Sequence, residues 1–217
     1  MSILTSYCIN LDKRADRWNE CIENFTAHGF PMPILQRWSA FEDSEFGALG
    51  CARSHLLALS DFVGNRSEPY CLILEDDFDF LLPWSNLVER FNALNASQSS
   101  WDVLMLAGTS TFAYAENPPG FARVVESHSA SGYLVSRNYA AKLMNCFANS
   151  VVQLQNSKNH EARQLWVSRF AIDVLWKQLQ YTDRWLIFSP AMGHQRPSFS
   201  DIEGRMVDYS TLAYTPR

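Results

Sequence analysis

The chain has 217 residues, 47% of them hydrophobic, and carries 18 basic against 23 acidic side chains for a net charge of −5. That size suits one domain with a substantial core, and a negative balance without any Lys/Arg-rich block argues against a general attraction to nucleic acid. No apolar run approaches the roughly 20 residues of a membrane span, and no basic segment followed by a long apolar one opens the chain, so a soluble cytoplasmic protein is expected.

Five cysteines (Cys8, Cys21, Cys51, Cys71, Cys146) form no CxxC pair and are odd in number, so buried free thiols are expected rather than disulfides or zinc. Of the 18 basic residues 14 are arginine, the better phosphate ligand, which leaves room for a local basic groove. Aromatic residues are plentiful, which suits a carbohydrate site and an ordinary core equally.

Strand and helix signals alternate along most of the length, as in an α/β fold. Leu4 to Ile9 reads as a buried strand, and Asn10-Leu11-Asp12 leads into a helix that Gly29 and Pro31 end near His28. Ile34 to Trp38 reads as a second strand, and Ala48 to Val63 as a helix with Leu49, Leu56, Leu59 and Phe62 recurring. Tyr70 to Leu74, bounded by Pro69, is a third strand. Ser85 can cap the helix marked by Leu87, Val88, Phe91 and Leu94. Val103 to Leu106 is again a strand. The stretch Thr109 to Gly120 reads as a long loop, suited to a lid or an acceptor loop. Phe121 to Val125 and Ser131 to Ser136 look like two strands paired with each other. Ala140, Leu143, Met144 and Phe147 mark a helix, Gln153 to His160 an exposed polar stretch, and Ile172, Leu175, Trp176 and Leu179 a further helix. Trp185 to Phe188 is a last strand, with an irregular tail from Pro190 to Arg217.

The third strand runs into Glu75-Asp76-Asp77-Phe78-Asp79, four carboxylates in five positions. Crowded acids repel one another, and a divalent cation removes the conflict because hard oxygen ligands suit Mg²⁺ or Mn²⁺. Ligands of open α/β sheets bind beyond the carboxyl ends of strands, where this cluster falls. The competing reading is a solvated cap for the next helix. A calcium loop starting at Asp77 fails, because Leu82 stands where glycine is needed.

Arg14 and Arg17 lie where the first strand turns into the first helix, three apart on one face, where a helix amino terminus favours an anion. Pairing with Asp12 and Asp16 on a solvated surface is the alternative. Neither GxGxxG nor GxxxxGK[ST] occurs, which argues against dinucleotide-fold dehydrogenases and P-loop enzymes. In Gly47-Ala48-Leu49-Gly50-Cys51-Ala52-Arg53-Ser54-His55 the glycines allow a ligand close approach, while Ser54 and His55 read either as ligand contacts or as structural hydrogen-bond partners.

Taken in order, Ile9-Asn10-Leu11-Asp12-Lys13-Arg14-Ala15-Asp16-Arg17, Gly50-Cys51-Ala52-Arg53-Ser54-His55, Leu74-Glu75-Asp76-Asp77, Gly132-Tyr133-Leu134-Val135-Ser136, Asp173-Val174-Leu175 and Ser200-Asp201-Ile202 resemble glycosyltransferase family 25. That family comprises lipopolysaccharide and collagen galactosyltransferases. The resemblance implies one GT-A-like α/β domain with a mostly parallel sheet, residues 1–108 on the nucleotide and metal side and 109–217 on the acceptor side. It further implies a UDP-sugar donor, Mn²⁺ or Mg²⁺, and inversion at the anomeric carbon. Glu75-Asp76-Asp77 matches the family's metal and donor motif, with Asp79 just outside it. Asn10, Arg14, Arg17, Ser54, His55, Asp76, Ser200 and Asp201 fall in the matching stretches or beside them as donor-binding candidates.

A metal held by Asp77 and Asp79, or by Glu75 and Asp77, would steady a diphosphate leaving group, and His194 is a further candidate ligand beside its reading as an exposed loop histidine. Inversion needs a base. Asp173 is the candidate, set between Ile172 and Val174, where an unpaired carboxylate is costly; a helix cap or a pair with Arg169 is the alternative. A glycoside hydrolase using two of the carboxylates and a non-catalytic carbohydrate-binding module are the rival classes. Lipopolysaccharide or another glycan, a protein hydroxyl and modified viral DNA remain open as acceptors, the last disfavoured by the net charge.

Overall fold

The structure is a computed structural model that describes residues 4–116, 118–200, 202 and 204–216. Its centre is an eight-stranded sheet formed by β1 (Leu4–Asn10), β2 (Leu35–Ser39), β3 (Tyr70–Glu75), β5 (Val103–Met105), β6 (Thr109–Glu116), β7 (Phe121–His128), β8 (Gly132–Ser136) and β9 (Trp185–Phe188), in the order β2-β1-β3-β8-β5-β9-β7-β6. Only β7 and β8 run against the rest, so the α/β architecture with a mostly parallel central sheet is as the sequence implied. Short pairs lie outside it: β4 (Phe78–Phe80) with β10 (Gly193–Gln195), and β11 (Ser198–Ser200) with β12 (Arg205–Val207).

Two apolar layers hold the sheet, because period-two strands buried on both faces present alternate residues to each. Cys71 and Ile73 of β3 join the layer that also takes Leu49, Leu59 and Phe62 of α2 (Gly47–Asn65) and Leu143, Phe147 and Leu154 of α4 (Arg137–Ser157). Leu72 and Leu74 face the other layer, with Cys21 and Phe25 of α1 (Ala15–Ala27) and Leu87, Phe91 and Leu94 of α3 (Trp84–Ala96). Three short helices follow α4: α5 (Arg163–Phe170), α6 (Ile172–Leu175) and α7 (Lys177–Thr182).

Several local expectations are corrected. The stretch expected to be a lid loop is mostly strand: β6 pairs antiparallel with β7, its alternation interrupted by register shifts between Thr109 and Ala113. The two strands expected to pair with each other do not. β7 lies between β6 and β9, whereas β8 lies between β3 and β5, where its all-apolar core run can be buried on both sides. Helix α3 begins before Ser85, with Pro83 in the capping place and no side-chain cap. Helix α4 runs on through the stretch expected to be exposed, burying Leu154 and Ser157. The tail supplies β10, β11 and β12, and β10 is anchored on β4.

The chain leaves the carboxyl end of β1 toward β2 and that of β3 toward β5, in opposite directions across the sheet. A crevice therefore opens between these two strand ends, the place where open α/β sheets bind ligands.

Candidate active site

Four carboxylates at the end of β3 turn toward three different partners. Asp76 and Asp77 are buried and share the Arg17 guanidinium, with Nη2 at 2.5 Å from Asp76 Oδ1 and 2.6 Å from Asp77 Oδ2. Asn10, at the end of β1, donates from Nδ2 to Asp76 Oδ2 at 2.6 Å and accepts from Arg37 at 2.6 and 2.9 Å through Oδ1. Asp79 faces Arg196 instead, at 2.7 Å, and Arg196 also reaches the Asp76 carbonyl at 3.1 Å. Glu75 accepts from His55 Nε2 at 3.0 Å and lies 3.7 Å from Cys51 Sγ.

Thus the like-charge conflict seen in the sequence is relieved first by buried arginine. The relief at Asp77 is partial. Burial and the neighbouring Glu75 push its carboxyl up to about 7 despite Arg17, and its Oδ1 is buried without a hydrogen-bond partner while Oδ2 also accepts from Gln195 at 3.1 Å. A buried unpaired oxygen is costly, and a hard cation is one group that would satisfy it. Glu75, Asp77, Asp79 and His194 do not come together as one shell. His194 sits on β10 opposite Asp79 in register, and the one group of three metal-capable side chains converging among the described residues is Cys51, His55 and Glu75.

The remaining candidates divide similarly. Arg14 pairs with Asp16 at 3.0 Å, as the surface alternative anticipated. Ser54 is structural in its contacts: its hydroxyl donates to the Gly50 carbonyl at 2.8 Å and accepts from the Phe41 amide at 2.8 Å, tying the 41–43 loop to α2. Gly50 is required there, because a Cβ would stand 2.6 Å from the Phe41 carbonyl oxygen. His55 is fully buried, with Nδ1 at 3.0 Å from the Tyr133 hydroxyl of β8. Ser200 lines the cleft, and Asp201 lies outside the described residues.

Two adjoining chambers make up that cleft. The first, of about 210 Å³, is walled by Ile9, Lys13, Arg17, Phe41, Gly47, Gly50 and the acids Glu75 to Asp77. The second, of about 510 Å³, is walled by Thr109, His128, Ser129, Gln164, Asp173 and Tyr209 among others. Cys51, Glu75, Gln195, Ser200 and Ile202 line both. Asp173 sits in the first turn of α6, neither capping it nor meeting Arg169 in a described contact. Its partners are the Ser129 amide at 3.2 Å and His128 Nδ1 at 3.7 Å. Burial would raise its carboxyl, but the neighbouring His128 ring and the bond from the Ser129 amide outweigh it and hold the group below its ordinary value. Ser129, whose amide donates to Asp173, takes φ +77°, a region that favours glycine.

Sequence reasoning missed Gln195 and His128 as parts of this cleft, and Arg37 and Arg196 as the partners that hold Asn10 and Asp79 behind it. Cys51 was missed too, although its separation of four from the candidate His55 places both on one helix face.

No protein-family model matches the chain, and no curated protein does. Solved structures with a similar course include a mannose-1-phosphate geranyltransferase from Thermus thermophilus, at 7% identity and TM-score 0.47 over 92% of this chain and 76% of that one. The A197 protein from STIV aligns at 11% identity and TM-score 0.49 over 99% and 96%. A glycosyltransferase involved in the glycosylation of the major capsid of PBCV-1 aligns at 10% identity and TM-score 0.48 over 92% and 96%. The assignment of function rests on the cleft itself.

Proposed function

We propose that the protein is an inverting glycosyltransferase that moves a hexose, galactose or glucose, from a UDP-sugar to an acceptor hydroxyl, as the resemblance of its ordered motifs implies. The observation that carries this reading is the division of the cleft into two chambers meeting at Glu75, one walled mainly by residues before 108 and the other mainly by residues after it. A transferase needs such a division, since donor and acceptor must be held side by side with water displaced.

In the donor chamber Arg17 is engaged by Asp76 and Asp77 and Lys13 by Glu42, so a diphosphate there draws on the amino terminus of α2 and on a divalent cation. The family resemblance calls for Mn²⁺ or Mg²⁺, and one residue fits: Asp77, through its unpaired Oδ1, since magnesium-type ions borrow most of their ligands from phosphates and water. Bound there, such an ion would act as a Lewis acid toward the leaving diphosphate. In the acceptor chamber Asp173 takes the hydroxyl proton. The bond from the Ser129 amide and the adjacent His128 ring favour its ionised form and aim it, at some cost in basicity. The acceptor is a glycan hydroxyl in this reading, lipopolysaccharide being the example the resemblance supplies.

The test is a UDP-release screen across nucleotide sugars, with and without EDTA, followed by an acceptor panel. Asp173→Asn is expected to lower turnover by about 10²-fold or more while UDP affinity stays as in the wild type. Release of sugar from a glycan with no nucleotide present would establish the hydrolase reading instead.

A further inference from the structure

Cys51, His55 and Glu75 bring a thiol sulfur, an imidazole nitrogen and a carboxylate oxygen within 4.8 Å of one another, at the wall between the two chambers. Cys51 and His55 project from one face of α2, four residues apart, and Glu75 ends β3 beneath them. We infer that these three side chains form a binding site for a tetrahedral, thiolate-accepting divalent cation of the Zn²⁺ type, distinct from the hard-cation position at Asp77.

Three observations support the assignment. The first is spacing. His55 Nε2 and Cys51 Sγ stand 3.0 and 3.7 Å from Glu75 Oε1. Ligand atoms about 2.0–2.3 Å from a tetrahedral zinc stand roughly 3.3–3.7 Å from one another, so small side-chain adjustments suffice. The second is the donor set. Sulfur and nitrogen beside a single oxygen select zinc-like ions and disfavour Mg²⁺ and Mn²⁺, which prefer oxygen throughout. The third is support behind the ligands. The Tyr133 hydroxyl, 3.0 Å from His55 Nδ1, fixes the buried ring so that Nε2 faces the carboxylate, the outer-shell contact that metal-bound histidines typically have.

Binding replaces two hydrogen bonds with metal bonds, and the protons balance. The Cys51 thiol proton leaves to solvent. His55 passes to the tautomer with its proton on Nδ1, which donates to the Tyr133 oxygen, a group able to accept as well as donate. Three protein ligands leave a fourth position, the arrangement of catalytic rather than structural zinc. Because Cys51 and Glu75 line both chambers, a water or hydroxyl from either side can fill it.

The experiment needs neither donor nor acceptor, so its outcome is separate from that of the transferase reading. Metal-free protein is titrated with Co²⁺ and, by calorimetry, with Zn²⁺. One equivalent should bind, with tetrahedral d–d bands and a near-ultraviolet thiolate-to-cobalt band. Cys51→Ser should abolish the thiolate band, and Glu75→Gln should weaken affinity by about tenfold or more, both with unchanged circular dichroism. Cys146→Ser, altering a half-buried cysteine of α4, should leave the band intact. An octahedral spectrum without the thiolate band, or affinity indifferent to both Cys51→Ser and Glu75→Gln, would overturn the site.

Discussion

At the scale of single residues, Arg17 is the group on which the carboxyl end of β3 depends. Arg17, Asp76 and Asp77 are all below a tenth exposed, so the guanidinium balances two charges that water barely reaches. Removing one partner of a buried pair typically costs about 3–5 kcal/mol, because the other charge is left uncompensated. Arg17→Met should therefore lower urea-unfolding stability by about that much at pH 7.5, and Asp77→Asn placed in the same chain should restore part of it. The loss should shrink toward pH 5. Asp77, raised in the fold from 3.8 to about 7, binds its proton more readily folded than unfolded. Its contribution is thus present at low pH and fades as the pH rises through the folded value.

The sequence already announced the crowded acids, and their crowding led to the expectation of a divalent cation. It could not show that an arginine from the first helix, far earlier in the chain, meets two of the four acids. Nor could it show that Asp79 would be taken by Arg196, because that contact spans 117 positions and depends on β10 folding back onto β4.

Among the elements, the junction of α4 with the turn into β9 rests on one carboxylate. Asp183 accepts from the Tyr139 hydroxyl at 2.6 Å and from Lys142 Nζ at 2.8 Å. Burial would push its carboxyl up, but these bonds hold it below its ordinary value. A depressed carboxylate stabilises the fold above its unfolded value near 4, and that stabilisation disappears as the pH falls through the folded value. Asp183→Asn should cost about 1–2 kcal/mol at neutral pH and flatten the acid side of a Tm-against-pH curve. Element type was legible wherever an apolar run had one period, as in β3, α2 and β9. It was missed at β6, where the Thr, Ser and Pro content of the stretch reads as loop and the strand state comes from pairing with β7.

For the whole molecule, the sheet concentrates stability at its middle. Leu104 of β5 is fully buried between neighbours on both sides, whereas Phe112 of edge strand β6 is 65% exposed. Chemical denaturation of Leu104→Ala should show a loss of about 2–5 kcal/mol, while Phe112→Ala should stay within about 0.5 kcal/mol.

The sequence by itself determined the α/β class, the core faces of its principal helices and strands, and the place of the acids at a strand end. Those follow from local periodicity and from polar residues gathering where a strand leaves the core. Tertiary structure alone decided that β8 enters the sheet between β3 and β5, which partner each carboxylate meets, and that the cleft divides at Glu75. These are long-range pairings, such as Asn10 with Asp76 across 66 positions, and local pattern carries no information about which distant segment folding will bring alongside.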